Sequence, residues 1–249
     1  MTRSTNGLQE VFSEVAGSYD LLNHILTLGL DVSWRRRAAR AGARLGGTAW
    51  LDVCSGPGEM ARDLARLAPR GVQVIAADFT PAMVEASLEK SRRSGVRFVL
   101  SEAGALPFAD GTFDLVAISF AARNINTRRE LLVGRFREFH RVLRPGGAFL
   151  NLETSQPPQG LVRAVFYAYI KTLVKPLGSL ISGSKAGYAY LSSTISRFYD
   201  ADQLAALILE AGFTSVSVKR FLFGAAAVHL AGKQQKPSGQ RPSRKTTAA

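Results

Sequence analysis

A glycine-bearing turn between an apolar run and a helical segment constrains this chain more than any other feature. The run Ala49–Val53 leads into Gly56-Pro57-Gly58, and the helical segment Met60–Leu67 follows. Glycine lets a backbone take tight dihedral angles beside a ligand, and the first N–H groups of the helix face the turn. Farther along, the run Val72–Ala77 ends in Asp78. The pattern predicts a nucleoside site at the carboxyl ends of parallel strands, with Asp78 accepting hydrogen bonds from a ribose.

The residues around this turn discriminate between two kinds of cofactor. A dinucleotide fingerprint, G-x-G-x-x-G, has a third glycine where this chain has Ala61. That variant is tolerated, so the spacing leaves NAD open. Glu59 stands where the helix begins and would repel a pyrophosphate, whereas the sulfonium of S-adenosylmethionine is a cation. We therefore predict S-adenosylmethionine; a strand–turn–helix corner without a ligand is the alternative, and Asp78 argues against it.

Composition limits the class of protein. With 249 residues and 46% hydrophobic content, the chain can bury one core, so we expect a single domain over 1–232. The single cysteine, Cys54, excludes an internal disulfide, and the histidines lack metal-ligand spacing, so we expect no metal. Met1–Glu10 is polar, and no apolar run reaches the length of about 18 residues that spans a membrane. We predict a cytoplasmic protein, with a peripheral position on the inner face of the cell membrane as an option.

The net charge of +13 is distributed unevenly. Residues 233–249 carry five positive charges, no acid and almost no apolar residue, which predicts a disordered tail. A charge of +8 remains on residues 1–232. Such a protein attracts RNA and anionic lipid alike, so charge alone does not choose between these partners.

Apolar runs and helical segments alternate through the middle of the chain. The predicted strands are Ala49–Val53, Val72–Ala77, Val96–Leu100, Phe113–Ser119 and Ala148–Leu152, and the predicted helices are Met60–Leu67, Pro81–Arg93 and Thr127–Leu143. This alternation predicts an α/β fold, a parallel sheet with helices on both faces. Arg144–Gly147 predicts a helix stop and a tight turn into the next strand.

The two ends of the domain differ from this alternating pattern. Residues 8–40 have helical apolar spacing, interrupted at Gly29, and the part that contains Arg35 has a basic side. We expect an N-terminal helical extension there. At the other end, a helix over Ala201–Ala211 and strands over Thr214–Lys219 and Gly224–Leu230 close the domain.

The segment 155–199 has an unusual composition. It contains no Asp or Glu, while aromatic and basic residues are frequent. Such a segment suits the surface of an anionic bilayer. It equally suits a helical cap over a substrate cleft, and the two interpretations are compatible.

Nearly the whole chain, to about Gly232, resembles the S-adenosylmethionine-dependent C-methyltransferases of ubiquinone and menaquinone biosynthesis. The blocks that carry the resemblance are Val11–Asn23 with Gly29 and Trp34-Arg35, Ala105–Asp114, Ile118–Asn124, Arg141–Gly147, and Tyr190-Leu191 with Ser196. The resemblance implies a class I methyltransferase fold, whose mostly parallel, Rossmann-like sheet has an antiparallel last strand. It also implies a helical insertion before the last strands.

The resemblance also implies where the cofactor lies. The family's contacts, carried over position by position, are Pro57, Asp78, Glu102, Ala103 and Ser119. The turn and the two strand ends add Asp52, Gly56, Gly58 and Phe79. The chain departs from the family pattern at Pro57 and Glu59, where Gly-Thr-Gly-Asp is usual, and at Glu102, where Asn or Asp is usual. It also departs at 153–157, where Glu-Phe-Ser-Lys-Pro is usual.

The reaction implied is methyl transfer to a ring carbon of a polyprenyl quinol. Such a carbon is a weak nucleophile until the adjacent hydroxyl loses its proton, so the site needs a base or a cation. We predict that Arg123 stabilises the oxyanion or orients a water, and that Asn124 binds the second ring oxygen. The alternative for Arg123 is an ion pair at the cleft edge. Tyr19 closes the site or, equally, serves helix packing.

Several partners and rival functions remain open at the level of sequence. We expect a polyprenyl quinol as substrate, demethylmenaquinol in the first place, with the benzoquinol step of ubiquinone synthesis left open. We also expect an anionic membrane surface and a homodimer, but no nucleic acid. A methyltransferase for another phenol or lipid keeps the fold and changes the acceptor. A basic RNA methyltransferase lacks a recognised RNA module here. A non-catalytic partner in a quinone-making complex would bind the cofactor without turnover.

Overall fold

Helices and strands alternate as the sequence predicts. A computed structural model describes residues 24, 27–126, 128–157, 160–174 and 198–235. In chain order the elements are α1 (Leu30–Ala43), β1 (Ala49–Val53), α2 (Glu59–Leu67), β2 (Gln73–Asp78), α3 (Pro81–Ser91), β3 (Arg97–Leu100), β4 (Phe113–Ser119), α4 (Arg129–Val142), β5 (Leu143–Thr154), α5 (Leu161–Tyr169), a π-helical turn (Ile170–Val174), α6 (Ala201–Glu210), β6 (Ser215–Phe221), a short turn (Leu222–Gly224) and β7 (Ala226–Gly232).

One sheet contains the seven strands, in the order β3-β2-β1-β4-β5-β7-β6. Strands β1 to β5 pair in parallel, whereas β7 runs antiparallel to both β5 and β6. The predicted fold class is confirmed. Because the strand order reverses between β1 and β4, their carboxyl ends border a crevice where ligands of such sheets bind.

The core lies on both faces of the sheet because successive strand residues point to opposite sides. On β1, Trp50 packs on the face that α1 and α2 cover, and Leu51 packs on the other face. Phe136 from α4 and Phe149 from β5 fill that second face, with ring centroids 5.4 Å apart. Each such buried side chain contributes about 1.5–3 kcal/mol, so the sheet is a rigid base for the loops at its edge.

Strand β5 is longer than predicted. Strands β1 and β4 have the predicted bounds, but β5 begins at Leu143 rather than Ala148. Phe113 pairs with Leu143 and Leu115 with Ala148, so the residues between them form a bulge inside the strand. Helix α4 does end at Val142, but it begins at Arg129, and position 127 lies outside the described residues.

Lys233, the first residue of the predicted tail, is bonded to the domain. The Lys233 ammonium donates to the carbonyls of His140 and Leu143, at 2.7 Å each. Its backbone also exchanges hydrogen bonds with Gly146 and Gly147. Lys233 therefore belongs to the fold, while 236–249 lie outside the described residues.

The helical extension and the insertion are described in part. Helix α1 forms the end of the extension, and α5 with the π-helical turn forms the first part of the insertion. Residues 1–23 and 175–197 lie outside the described residues, so the remaining helices of both segments stay predictions. No helix among the described residues combines the length and the apolar character that crossing a bilayer requires.

Candidate active site

The glycine turn is tied to the end of the neighbouring strand. Gly56 N donates to Asp78 Oδ2 at 2.8 Å, and Ser87 Oγ donates to Gly56 O at 2.5 Å. Both glycines have positive φ, 52° at Gly56 and 80° at Gly58. A Cβ built on Gly58 would lie 3.3 Å from both Phe98 and Ser87, whereas the space beside Gly56 is open. The turn thus brings bare backbone to the crevice in a fixed shape.

Asp78 keeps acceptor capacity for a ligand. Its Oδ1 accepts from Thr80 N at 2.9 Å, in addition to the bond from Gly56. An ionised carboxylate offers about four lone-pair sites, so two backbone donors leave room for a ribose diol. Burial raises the pKa of Asp78, while the hydrogen bonds from Thr80 and Gly56 act in the opposite direction. The residues present therefore fit a nucleoside.

Asp52 supports the turn from below. It is fully buried, and its Oδ2 accepts from Ala61 N, in the first turn of α2, at 3.0 Å. Burial raises the pKa of Asp52 to about 8, so the acid is mostly neutral at pH 7. Asp52 thus caps a helix from inside the sheet, and a direct contact with the cofactor stays a prediction.

The interpretation of Glu59 needs correction. Its carboxylate lies 2.6 Å from Arg35 Nη2, which also pairs with Asp31 at 3.1 Å. Arg35 is 3% exposed, so the predicted basic side of α1 is wrong at this position. Asp31 and Arg35 are one helical turn apart, which brings their side chains together. Because Glu59 is already compensated by Arg35, its charge is a weaker argument for a cationic cofactor than the sequence suggests.

The other predicted cofactor residues lie at or just after the carboxyl ends of β1 to β4. Phe79 is half-buried after β2, Glu102 is exposed and Ala103 buried after β3, and Ser119 ends β4. The carbonyl of Pro57 accepts from Arg62 Nη1 at 2.6 Å. The structure brings these residues to one edge of the sheet, and their individual contacts with a cofactor stay predictions.

A buried ion pair lies at the ends of β4 and β5. Arg123 Nη1 donates to Glu153 Oε1 and to Thr154 Oγ1, at 3.0 Å each. Glu153 Oε2 also accepts from the backbone N of Arg123 at 3.2 Å, and Thr154 Oγ1 donates to Oε1 at 2.9 Å. The ion pair that the sequence left as the alternative is therefore present. It does not use the whole guanidinium, because Arg123 Nε has no partner among the described residues.

Asn124 and Tyr19 differ in what the structure describes. Asn124 is buried in the turn after β4, with Nδ2 at 3.5 Å from Phe120 O. Phe120 itself has a φ of 53°, a strained value for a non-glycine residue and one that clusters at functional sites. Tyr19 lies outside the described residues.

An apolar cavity of about 300 Å³ adjoins Arg123. Its walls come from the start of α1, the ends of β4 and β5, α5 with the π-helical turn, and the Leu222–Gly224 turn. Arg123 and Thr154 contribute polar groups, and most of the remaining wall is aliphatic or aromatic. The arrangement suits a flat, hydrophobic molecule that carries a polar oxygen near the guanidinium.

Comparison with known proteins decides the family. The model of the ubiE/COQ5 methyltransferase family matches residues 1–233. The chain belongs to this family. It is therefore a methyltransferase, and the resemblance read from the sequence is confirmed.

The relatives in this family match over nearly their whole length. A demethylmenaquinone methyltransferase of Thermus thermophilus is 40% identical over 222 residues, which cover 88% of this chain and 98% of the relative. The ubiquinone/menaquinone biosynthesis C-methyltransferase UbiE of Desulfotalea psychrophila is 34% identical, over 90% and 89%. A SAM-dependent methyltransferase structure from Thermotoga maritima superposes with a TM-score of 0.62 at 16% identity, over 90% of this chain and 99% of that one. The cofactor prediction agrees with this family and fold.

Within this ubiE/COQ5 site, Glu153 is a partner of Arg123 that was not predicted from the sequence. The signal in the sequence was a single acid directly after the predicted strand Ala148–Leu152. Ser119 pairs with Leu152 in the parallel register, so the residues after each meet at the sheet edge. Cys54, in contrast, packs against the apolar core, as predicted. Burial raises the pKa of its thiol, which disfavours the nucleophilic thiolate.

Proposed function

We propose that this chain transfers the methyl group of S-adenosylmethionine to a ring carbon of demethylmenaquinol, giving menaquinol. The observation that carries the proposal is a buried guanidinium in the wall of an apolar cavity, beside the strand ends that form the nucleoside crevice. A polyprenyl naphthoquinol needs both an apolar surface and a cation near its oxygen. The names of the 34–40% identical relatives support the same reaction.

The residues around the turn hold the cofactor in this proposal. Asp78 accepts from the ribose, the backbone at Gly56 and Gly58 packs against the ligand, and Glu102 with Ala103 borders the adenine. When bound, S-adenosylmethionine supplies a methyl group on a positively charged sulfur. The protein then contributes position and electrostatics, as is usual for cofactor chemistry.

Arg123 activates the acceptor. A quinol carbon becomes nucleophilic as the adjacent hydroxyl loses its proton to water, and the guanidinium stabilises the oxygen that becomes negative. In a cavity with low dielectric, such a cation is worth far more than in water. Glu153 fixes Arg123 but is not the base, because its oxygens already accept from Arg123 Nη1 and N and from Thr154 N and Oγ1. Two roles stay predictions: Asn124 binds the second ring oxygen, and Tyr19 closes the site.

The substrate also indicates where in the cell the enzyme acts. A polyprenyl tail stays in the bilayer, so the enzyme meets its acceptor at the inner surface of the cell membrane. The acid-free segment 155–199 supports this assignment. The homodimer stays a prediction.

The proposal is tested by methyl transfer with the purified full chain. Reduced demethylmenaquinone and the corresponding demethylated benzoquinone, each in detergent, are incubated with methyl-labelled S-adenosylmethionine. Label in the naphthoquinol product is the expected result, and label in the benzoquinol alone would move the chain to ubiquinone synthesis. Cofactor binding by calorimetry without transfer to either ring would refute the quinone assignment and leave the fold intact.

A further inference from the structure

Five large apolar side chains stand in solvent around the substrate cavity. We call them the apolar rim, and their exposed fractions are 74% for Leu28, 80% for Leu161, 61% for Val165, 51% for Leu222 and 78% for Phe223. Leu28, Val165, Leu222 and Phe223 also line the cavity. The cavity therefore reaches the surface through the rim, and the exposed apolar area is continuous with the cavity wall. A continuous exposed patch of this kind marks an interaction surface.

The backbone of the rim is strained where it presents these side chains. Leu222 and Phe223 are consecutive non-glycine residues with φ of 45° and 53°, and Leu28 has a φ of 52°. The turn that contains Leu222 joins β6 to β7, and its shape is fixed because Phe221 pairs with Ala226 and Ala225 N donates to Leu222 O. Strain that a rigid hairpin maintains points to a function for the side chains it exposes.

The charges near the rim are positive. Residues 155–199 and 211–249 contain no Asp or Glu. The guanidinium of Arg37 lies 5.9 Å from the ring centroid of Phe221, next to Leu222 in the chain, and Arg163 and Lys171 follow on the insertion. Asp31, the nearest acid to Leu28 in sequence, is buried and paired with Arg35. The apolar rim with cations around it is complementary to a bilayer in which anionic headgroups cover a hydrocarbon layer.

We infer that the apolar rim inserts into one leaflet of an anionic phospholipid bilayer, with Leu222 and Phe223 below the headgroups. The cavity then opens toward hydrocarbon, and a lipid-borne ring enters without crossing water. This inference rests on the proposed function only for the identity of that ring. The surface and its charge are independent of which lipid is methylated.

Vesicle co-sedimentation of the full chain tests the inference. Vesicles of phosphatidylcholine alone are compared with vesicles that also contain phosphatidylglycerol. We expect binding to the anionic vesicles, and a loss of about tenfold or more in the partition coefficient for Leu222→Asn/Phe223→Asn. Asparagine adopts positive φ more readily than leucine or phenylalanine, so this variant is expected to fold. Thermal unfolding of each variant checks this point.

A matched control removes apolar surface elsewhere. Leu88→Asn/Leu131→Asn replaces two leucines on α3 and α4 that are 52% and 46% exposed, and neither of them lines the cavity. It is expected to bind vesicles as the parent does. Equal losses in both double variants, or no parent binding to anionic vesicles, would overturn the inference. If the parent does not bind vesicles but forms a dimer, and only the rim variant is a monomer, the rim is instead the interface with a second copy of the chain.

The test is separable from the proposed function because it measures partition, not turnover. Vesicle binding without methyl transfer to a quinol would refute the proposed function and keep the docking surface. Methyl transfer in detergent without vesicle binding would do the reverse.

Discussion

Arg123 and Glu153 form an ion pair with 3.0 Å between Nη1 and Oε1, and both side chains are at most 2% exposed. The carboxylate also accepts from the backbone N of Arg123, so one acid fixes the turn after β4 and the guanidinium together. Desolvating two charges is costly, and their attraction offsets this cost only with good geometry and further hydrogen bonds. Thr154 supplies one of these bonds. The pair thus presents a rigid cation to the substrate cavity.

Replacing Arg123 is expected to abolish most catalysis. Arg123→Ala should lower kcat by about 100- to 1000-fold, because it removes the charge that stabilises the quinol oxyanion. The Kd for S-adenosylmethionine should stay near that of the parent, since the nucleoside crevice lies at other strand ends. Calorimetry and methyl transfer measure the two quantities.

The same substitution leaves Glu153 buried without its partner, which costs about 3–5 kcal/mol of stability. The double variant Arg123→Ala/Glu153→Gln serves as the control, because it removes the orphaned charge. We expect it to recover much of the free energy of unfolding and none of the kcat. Recovery of turnover together with stability would show that Arg123 serves only the fold.

The hydroxyl of Thr154 is expected to hold the guanidinium of Arg123 in position. Thr154→Val keeps the side-chain shape but removes the acceptor for Arg123 Nη1 and the donor to Glu153. We expect a loss of about 1–2 kcal/mol in stability and a several-fold lower kcat with little change in the KM for S-adenosylmethionine. Thr154→Ser, which keeps the hydroxyl, is the matched control. A serine variant as impaired as the valine variant would contradict the hydrogen-bonding role.

Asp78 is expected to govern cofactor affinity. In Asp78→Asn, the side-chain NH2 replaces one of the two acceptor oxygens. It then faces the backbone N–H of either Gly56 or Thr80, so that hydrogen bond is lost and the glycine turn is held less firmly. We expect the Kd for S-adenosylmethionine to rise about 10- to 100-fold, which corresponds to about 1.4–2.8 kcal/mol.

Asp63→Asn is the control for this substitution, because Asp63 pairs with Arg66 on α2, away from the Gly56–Asp78 contact. Equilibrium binding of the labelled cofactor compares the two variants. Unchanged affinity in Asp78→Asn would remove Asp78 from the site.

The sequence predicted the sheet and the crevice because local signals specify both. The strand bounds of β1 and β4 were correct, since each apolar run follows a threonine and leads to a serine, Ser55 after β1 and Ser119 at the end of β4. The glycine turn and Asp78 were predicted to meet, and Gly56 N lies 2.8 Å from Asp78 Oδ2. Parallel strands with known carboxyl ends require this proximity.

Contacts between distant elements escaped prediction. Arg35 stands in a run of arginines that suggests a solvated face, yet it is buried between Asp31 and Glu59. Glu153 lies 30 residues from Arg123, and only the register of β4 with β5 brings them together. The bulge at 144–147 depends on Phe113 in another strand. Each of these is a long-range packing result that periodicity does not encode.

Asp52 predicts how stability depends on pH. Its pKa is about 8 in the folded protein against an ordinary value of 3.8. Between these values the folded chain holds a proton that the unfolded chain releases, so the free energy of unfolding falls as pH rises from about 4 to about 8. One such group contributes a slope of up to about 1.4 kcal/mol per pH unit. Asp52→Asn mimics the neutral acid, so it should lack this slope and exceed the parent in stability at pH 8.

Urea unfolding, followed by the fluorescence of Trp34 and Trp50, measures the difference between the two proteins from pH 5 to 8. His229 contributes with the opposite sign, because burial lowers its pKa and its share of stability is lost as pH falls. His229 is common to parent and variant, so its contribution cancels in the difference. Asp110→Asn, at a side chain that is 80% exposed, controls for the loss of a surface charge. Parallel pH profiles for the parent and Asp52→Asn would show that Asp52 is ionised beneath the turn, and the helix cap would then be a charged one.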